Sequence, residues 1–252
     1  MAKFDRPPIT STTKRLPIVF CLDVSPSMGW ELNGNSSSMA LLNAAVASFF
    51  AEIKQDAKAS VSAEVAFVTF STNIEQDTDF KTIRDMQIPQ FNAVEKGGTQ
   101  MAQAVLRSIE KIEKRRKELE NMEVPYYAPF LVLVTDGNPD ENDDAALQAK
   151  ALAEVKRHCD SHVGAREIIV PFVIGVGDHI SPKTLNEYSA GFVDGYFPVS
   201  GNAAKAQVQF SKVFKLIGNS TIKSVHLNAR GNEQINTIKH DMSDVWRTIM
   251  GM

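Results

Sequence analysis

The sequence predicts an α/β fold: a doubly wound, mainly parallel central sheet flanked by helices on both faces. Three observations predict it. Short, nearly continuous apolar runs recur at 16–22, 65–70, 130–135 and 167–174, the pattern of strands buried on both faces. Segments with helical apolar spacing separate those runs, which indicates βαβ units. Polar loops follow Leu22 and Thr135, at the carboxyl ends of strands, where ligands bind in such sheets.

The elements follow in order. Residues 1–14 are polar and proline-bearing and read as a loose N-terminal arm. Leu16-Pro17-Ile18-Val19-Phe20-Cys21-Leu22 is the first strand, ending at Asp23. Residues 23–38 are rich in Ser, Gly and Asn and read as a loop. A helix is expected from Met39 to Ile53, with Leu42, Val46, Phe49 and Phe50 at helical spacing. Val65 to Phe70 is the second strand, and 72–98 holds a short strand or two and a long loop ending at Gly97-Gly98-Thr99. The second helix carries Met101, Val105, Ile109, Ile112 and Leu119, and its charged stretch from Lys111 to Glu118 reads as a solvated face.

Phe130 to Thr135 is the third long strand, followed by a helix from about Asp143 to Cys159. Glu167 to Ile174 is a strand, 182–190 a short helix, 195–199 a last strand, and Ala203 to Ile217 a closing helix. These boundaries give a main domain over 15–217 and a C-terminal tail over 218–252. In the tail, Val245, Trp246, Ile249 and Met250 suit one apolar turn of helix, either folded back on the domain or docked on a partner.

The 252 residues fit one large domain with a short appendage. The chain is 43% hydrophobic and 23% charged, with a formal net charge of -3. A balance this close to neutral argues against nucleic acid or an anionic membrane as partner. No run of about 18 apolar residues is present, and Met1 to Pro8 lacks an apolar core of signal-peptide length. Cys21 and Cys159 both lie in apolar or helical contexts and read as buried free thiols, consistent with a cytoplasmic location.

Three separated segments carry chemistry: Asp23-Val24-Ser25-Pro26-Ser27, Gly97-Gly98-Thr99 and Thr135-Asp136-Gly137. Side chains of Asp23, Ser25 and Ser27 alternate within one loop, so their oxygens can converge. Gly97 and Gly98 allow a tight turn that places the hydroxyl of Thr99, and Asp136 adds a carboxylate from a neighbouring strand. Two carboxylates and three hydroxyls, without His or Cys, select a hard cation: Mg²⁺ first, with Ca²⁺ or Mn²⁺ as alternatives. Hydroxyls are neutral ligands, so such an ion keeps positive charge and an open position for an outside carboxylate.

Other motifs fall short. The acidic stretch Asp136 to Asp144 has Glu141 where a calcium loop of the EF-hand type needs Gly, and reads as a solvated loop capping the next helix. Gly175-Val176-Gly177 lacks the third glycine of a dinucleotide fingerprint. His158 and His162 are four apart, but Gly164 follows closely and no carboxylate motif accompanies them, which argues against zinc. Neither Ser25 nor Ser27 sits in a nucleophile-elbow pattern.

The three segments resemble, in order and placement, the metal-ion-dependent adhesion site of von Willebrand factor A domains. The resemblance covers roughly residues 15–217 and implies a metal held by Asp23, Ser25, Ser27, Thr99 and Asp136. Within that family the chain is similar to the compact bacterial proteins of the tellurium-resistance TerY type. The cues are Arg15-Leu16-Pro17, the charged helix ending Arg115-Arg116-Lys117-Glu118-Leu119, and Thr135-Asp136-Gly137-Asn138-Pro139. The segment from Trp30 to Ser38 is longer and richer in Ser and Asn than that type implies. The subfamily implies a stress-resistance or phage-defence setting and kinase or phosphatase partners from the same gene cluster.

The leading expectation is therefore a non-catalytic interaction module that binds an Asp or Glu carboxylate of a partner protein through its metal. One alternative is a metal-dependent phosphoester hydrolase. Another is a scaffold that holds a structural metal and binds through its C-terminal tail.

Overall fold

The computed structural model describes residues 13–137, 144–160, 164, 167–178, 180–227 and 231–251. The expected N-terminal arm, Asn138 to Asp143, His162 and His179 thus lie wholly or almost wholly outside the described residues.

Strand β1 spans Leu16–Asp23, and a 3₁₀ turn, Pro26–Gly29, follows it. Strands β2 (Glu31–Leu32) and β3 (Ser36–Ser37) form a small antiparallel hairpin before helix α1 (Ser38–Gln55). Then come α2 (Ala59–Ser62), β4 (Ala63–Phe70), β5 (Ile74–Asp77), β6 (Lys81–Thr82) and α3 (Met101–Asn121). The second half runs β7 (Phe130–Thr135), α4 (Ala145–Cys159), β8 (Val170–Val176), α5 (Pro182–Tyr188), β9 (Phe197–Val199), α6 (Ala203–His226) and α7 (Asn232–Met250).

The main sheet has the order β5-β4-β1-β7-β8-β9, with β6 pairing the same edge of β4 as β5 does. Pairs β4·β1, β1·β7, β7·β8 and β8·β9 are parallel, whereas β5 and β6 are antiparallel to β4. The doubly wound α/β expectation therefore holds. The chain leaves β1 toward β4 and later crosses to β7 on the other side, so strand order switches at β1. Crevices at such a switch, outside the strand carboxyl ends, are where ligands bind.

Every residue of β1, β4, β7 and β8 is buried, which explains why these strands read as continuous apolar runs rather than alternating ones. Alternate residues serve two cores. Leu16, Ile18, Phe20 and Leu22 pack with α1, α6 and α7, while Val19 and Cys21 pack with α3, α4 and α5. Phe20 is central to the first core: its ring lies 5.4 Å from Phe49 edge-on and 5.6 Å from Phe67 in a stack. Both cysteines are buried free thiols, and burial pushes each up to about 12.

Four sequence expectations need correction. The 23–38 loop contains structure, because Gly34 and Asn35 adopt positive φ (119° and 66°) and turn the β2–β3 hairpin. The closing helix does not stop at Ile217 but continues to His226, with Thr221 and Ser224 buried and donating their hydroxyls to Ile217 and Ser220 carbonyls. The apolar turn at Val245 to Met250 belongs to the 19-residue helix α7, whose Ile235, Ile238 and Met242 are buried in the first core. The charged stretch of α3 is not uniformly solvated. Arg116 is buried and donates to the Glu167 and Ile168 carbonyls just before β8, and Arg115 forms a two-pronged pair with Glu64 at 2.8 and 2.9 Å. A planar guanidinium offers several donors in a fixed fork, so Arg116 serves two carbonyls at once and Arg115 grips both oxygens of one carboxylate.

Candidate metal centre

Asp23 ends β1 and is fully buried. Its Oδ1 accepts from the Ser25 backbone N–H at 2.8 Å, closing a tight side-chain turn that swings the chain across the strand ends. Pro26 then opens the 3₁₀ turn, in which the Met28 and Trp30 N–H groups donate to the Ser25 and Ser27 carbonyls. Buried Met28 anchors this turn to the core. The result is a rigid loop that presents the hydroxyls of Ser25 and Ser27 side by side, 3.1 Å apart.

The neighbouring strand supplies the next oxygens. The register pairs Leu22 with Val134, so Asp23 and Thr135 come level, and the Thr135 hydroxyl donates to Asp23 Oδ2 at 2.6 Å. Asp136 follows, and Ser27 Oγ donates to its Oδ1 at 2.8 Å. Thr99 stands against Gly137: a Cβ built on that glycine would lie 3.2 Å from Thr99 Oγ1. Thr99 arrives there because the Gly97-Gly98 turn is tied to the loop after β4. The Gly98 N–H donates to Thr72 Oγ1 at 2.7 Å and the Gln100 N–H to the Ser71 carbonyl at 2.7 Å. Gly97 has a φ of 154°, and a Cβ on it would sit 3.0 Å from Thr72 Oγ1.

The structure thus brings Asp23, Ser25, Ser27 and Asp136 into one hydrogen-bonded chain, with Thr99 beside it. Two supporting residues escape sequence reasoning. Thr135 steadies Asp23, and the only sequence signal for it is its place next to Asp136. Thr72 steadies the Gly97-Gly98 turn, and nothing in the pattern of residues around it marks that role.

The electrostatics of this cluster are strained. Burial raises the Asp23 carboxyl, although hydrogen bonds from Ser25 and Thr135 pull it back in part. Asp136 is pushed up to about 7, first by burial and then by the nearby charge of Asp23, against the lowering effect of Ser27. Two neighbouring buried carboxylates favour a cation between them.

The donor set fits a hard cation. All side-chain donors are oxygens, and among the described residues no group of three or more His, Cys, Asp or Glu is placed to hold a metal. The 3.1 and 2.8 Å separations along Ser25, Ser27 and Asp136 match the edge of an octahedron of oxygens. With metal–oxygen distances of about 2.1 Å, as for Mg²⁺, that edge is about 3.0 Å.

The remaining candidates resolve simply. Asp144 caps α4, its carboxylate accepting from the Ala146 N–H at 2.9 Å. His158 is buried between Glu154 and Glu113, with its ring nitrogens 3.4 and 3.8 Å from their carboxylates. Its expected counterpart, His162, lies outside the described residues.

The von Willebrand factor type A domain model matches residues 18–209. The chain belongs to that family. Comparison with curated proteins gives no match. Among solved structures, the PilB minor pilin from Streptococcus sanguinis is similar at 15% identity and a TM-score of 0.51, over 83% of this chain and 62% of that one. The pilus adhesin SpaC from Lactobacillus rhamnosus GG is similar at 12% identity and a TM-score of 0.54, over 85% of this chain and 31% of that one. The conserved hypothetical protein BatB from Bacteroides thetaiotaomicron is similar at 13% identity and a TM-score of 0.50, over 81% of this chain and 99% of that one. This von Willebrand factor type A chain therefore spans less than two thirds of the first two, and at these identities the likeness is one of fold. Among the described residues no helix is long and apolar enough to cross a membrane.

Proposed function

We propose that this von Willebrand factor type A domain is a non-catalytic module that binds a partner protein through a divalent cation, Mg²⁺ in the first instance. Asp23 and Asp136 would supply the charge, and the hydroxyls of Ser25, Ser27 and Thr99 the neutral oxygens. Bound there, the cation would retain positive charge and attract an Asp or Glu carboxylate from the partner. The observation that carries this reading is the meeting of three distant segments: the chain of 2.8 and 3.1 Å contacts from Asp136 through Ser27 to Ser25, with Thr99 against Gly137. Its position at the strand-order switch supports it further.

Among the described residues, the groove beside these residues is lined by carboxylates and neutral side chains, with no His, Lys or Arg. The partner is read as a protein, with nucleic acid and membrane disfavoured by a net charge of -3. The motif cues at Arg15-Leu16-Pro17 and Thr135-Asp136-Gly137 support a bacterial TerY-type role in stress resistance, in the cytoplasm, with a kinase or phosphatase of the same gene cluster as partner. The fold of α7 onto the first core favours the metal site over the C-terminal segment as the binding surface.

Titration calorimetry with Mg²⁺ tests the core of this reading. Wild-type protein should bind one equivalent, and Asp23→Ala should show no heat of binding while keeping its far-ultraviolet circular dichroism. Equal Mg²⁺ binding by both proteins would contradict it.

A further inference from the structure

A groove of about 480 Å³ opens from Ser27 and Asp136 and runs past Trp30, Glu31, Ser38 and Asp178. Trp30 is 68% exposed, the most exposed large apolar side chain among the described residues. An indole left this open is out of keeping with the rest of a surface that shows few large apolar groups. The hairpin carrying it is not loosely placed. The Asn33 N–H donates to the Gly201 carbonyl at 3.2 Å, and the Ala203 N–H donates to the Asn33 carbonyl at 2.9 Å, pinning β2–β3 to the start of α6.

The polar groups of the groove also stand unused. Ser38 lines it, is 1% exposed, and has a buried hydroxyl with no hydrogen-bond partner. Buried hydroxyls without partners are costly and rare. Glu31 and Asp178 are exposed carboxylates with no ion pair among the described residues. Asp178 is held close over Gly201, whose missing side chain leaves the space: a Cβ there would meet Asp178 Oδ2 at 2.8 Å.

An open indole face flanked by two unpaired carboxylates complements a cation on a long stem. We infer that this groove is a subsite for a basic side chain, Arg or Lys, carried by the partner within a few residues of the carboxylate that reaches the metal. The inference rests on the metal-site reading above. The cation would lie over Trp30 and between Glu31 and Asp178. The partner segment is thus zwitterionic, an acid for the ion and a base for the groove. The hairpin that builds the groove supplies the choice among acidic partners.

The test uses full-length protein and an array of acetylated seven-residue peptides. Each has Asp at its centre and every residue type in turn at the flanking positions, on an alanine background. In Mg²⁺ the array should show binding that chelator abolishes, and at one flanking position Arg and Lys should outbind Gln by about tenfold, the size expected of a cation–π contact plus ion pairs near a surface. In the double variant E31Q/D178N that ratio should fall to about one, and Trp30→Ala should lower it severalfold. Mg²⁺ titration of the protein alone runs beside the array. If Mg²⁺ binds but the array shows no flanking preference, or no bound peptide at all, the subsite is wrong while metal binding stands. If Mg²⁺ does not bind, both fall together.

Discussion

Asp136 answers to two opposed demands. A metal needs its carboxylate charged, while the metal-free fold disfavours that charge, which is why the group is pushed up to about 7. A carboxyl whose folded pKa is raised weakens the fold as pH climbs through the unfolded value near 3.8, and the full penalty is present above about 7. Asp136→Asn should therefore unfold at higher urea than wild type at pH 8 in chelator, and the gain should vanish at pH 3. The same variant should lose Mg²⁺ binding. Equal or lower stability of Asp136→Asn in chelator would show that the carboxylate is not strained. Four of the five proposed ligands are legible in the sequence because polar residues there follow an apolar strand run directly, and Thr99 is legible through the Gly97-Gly98 pair that precedes a helix. Thr135 and Thr72 are not, because their roles depend on strand register and on a contact between two loops, which residue spacing alone does not encode.

At the scale of elements, the buried strands were plain, since four strands hidden on both faces must be apolar throughout. The C-terminal helices run further than the apolar spacing predicts. Ile235, Ile238, Met242, Val245, Trp246 and Ile249 recur at three- and four-residue intervals, so the helical period was present. Its polar intervening residues and the run of small polar groups in α6 obscured it. Helix α7 now covers the first core, and Trp246 Nε1 donates to the Tyr196 carbonyl at 3.1 Å beside β9. Ile238, 1% exposed, should cost about 2–5 kcal/mol when cut to Ala, by loss of burial and a residual cavity. Met250, 44% exposed on the same helix, should change stability by about 0.5 kcal/mol or less. Urea titration of the two variants compares them. Equal effects would mean that α7 does not belong to the core. Arg116 carries a similar lesson: a charged stretch reads as solvated, yet one member is turned inward to serve two carbonyls.

Over the whole molecule, the sheet order sets where chemistry can occur. The crossover from β4 past β1 to β7 opens the one place where Asp23 and Asp136 meet from adjacent strands. Ion pairs clip the outer layer onto this frame. Asp77 on edge strand β5 meets Lys111 at 2.5 Å and Arg107 at 2.6 Å from α3. Burial alone would raise its carboxyl, but the hydrogen bonds and charges of these two cations more than offset it and hold it below 3.8. A depressed carboxyl stabilises the fold above its unfolded value and ceases to do so as pH falls through the folded one. Wild type should accordingly lose stability below about pH 4 more steeply than Asp77→Asn, measured by thermal unfolding from pH 7 to pH 2.5. Parallel curves for the two proteins would remove Asp77 from the acid response.

Five oxygens from three segments should converge on one cation, and diffraction from a crystal grown with Mn²⁺ shows whether they do. An anomalous peak within about 2.2 Å of Ser25 and Ser27 Oγ, with Asp23, Thr99 and Asp136 around it and one position left for water or a carboxylate, is the result predicted here. A clean map with no peak at the ends of β1 and β7, or a peak bound elsewhere on the molecule, would contradict it.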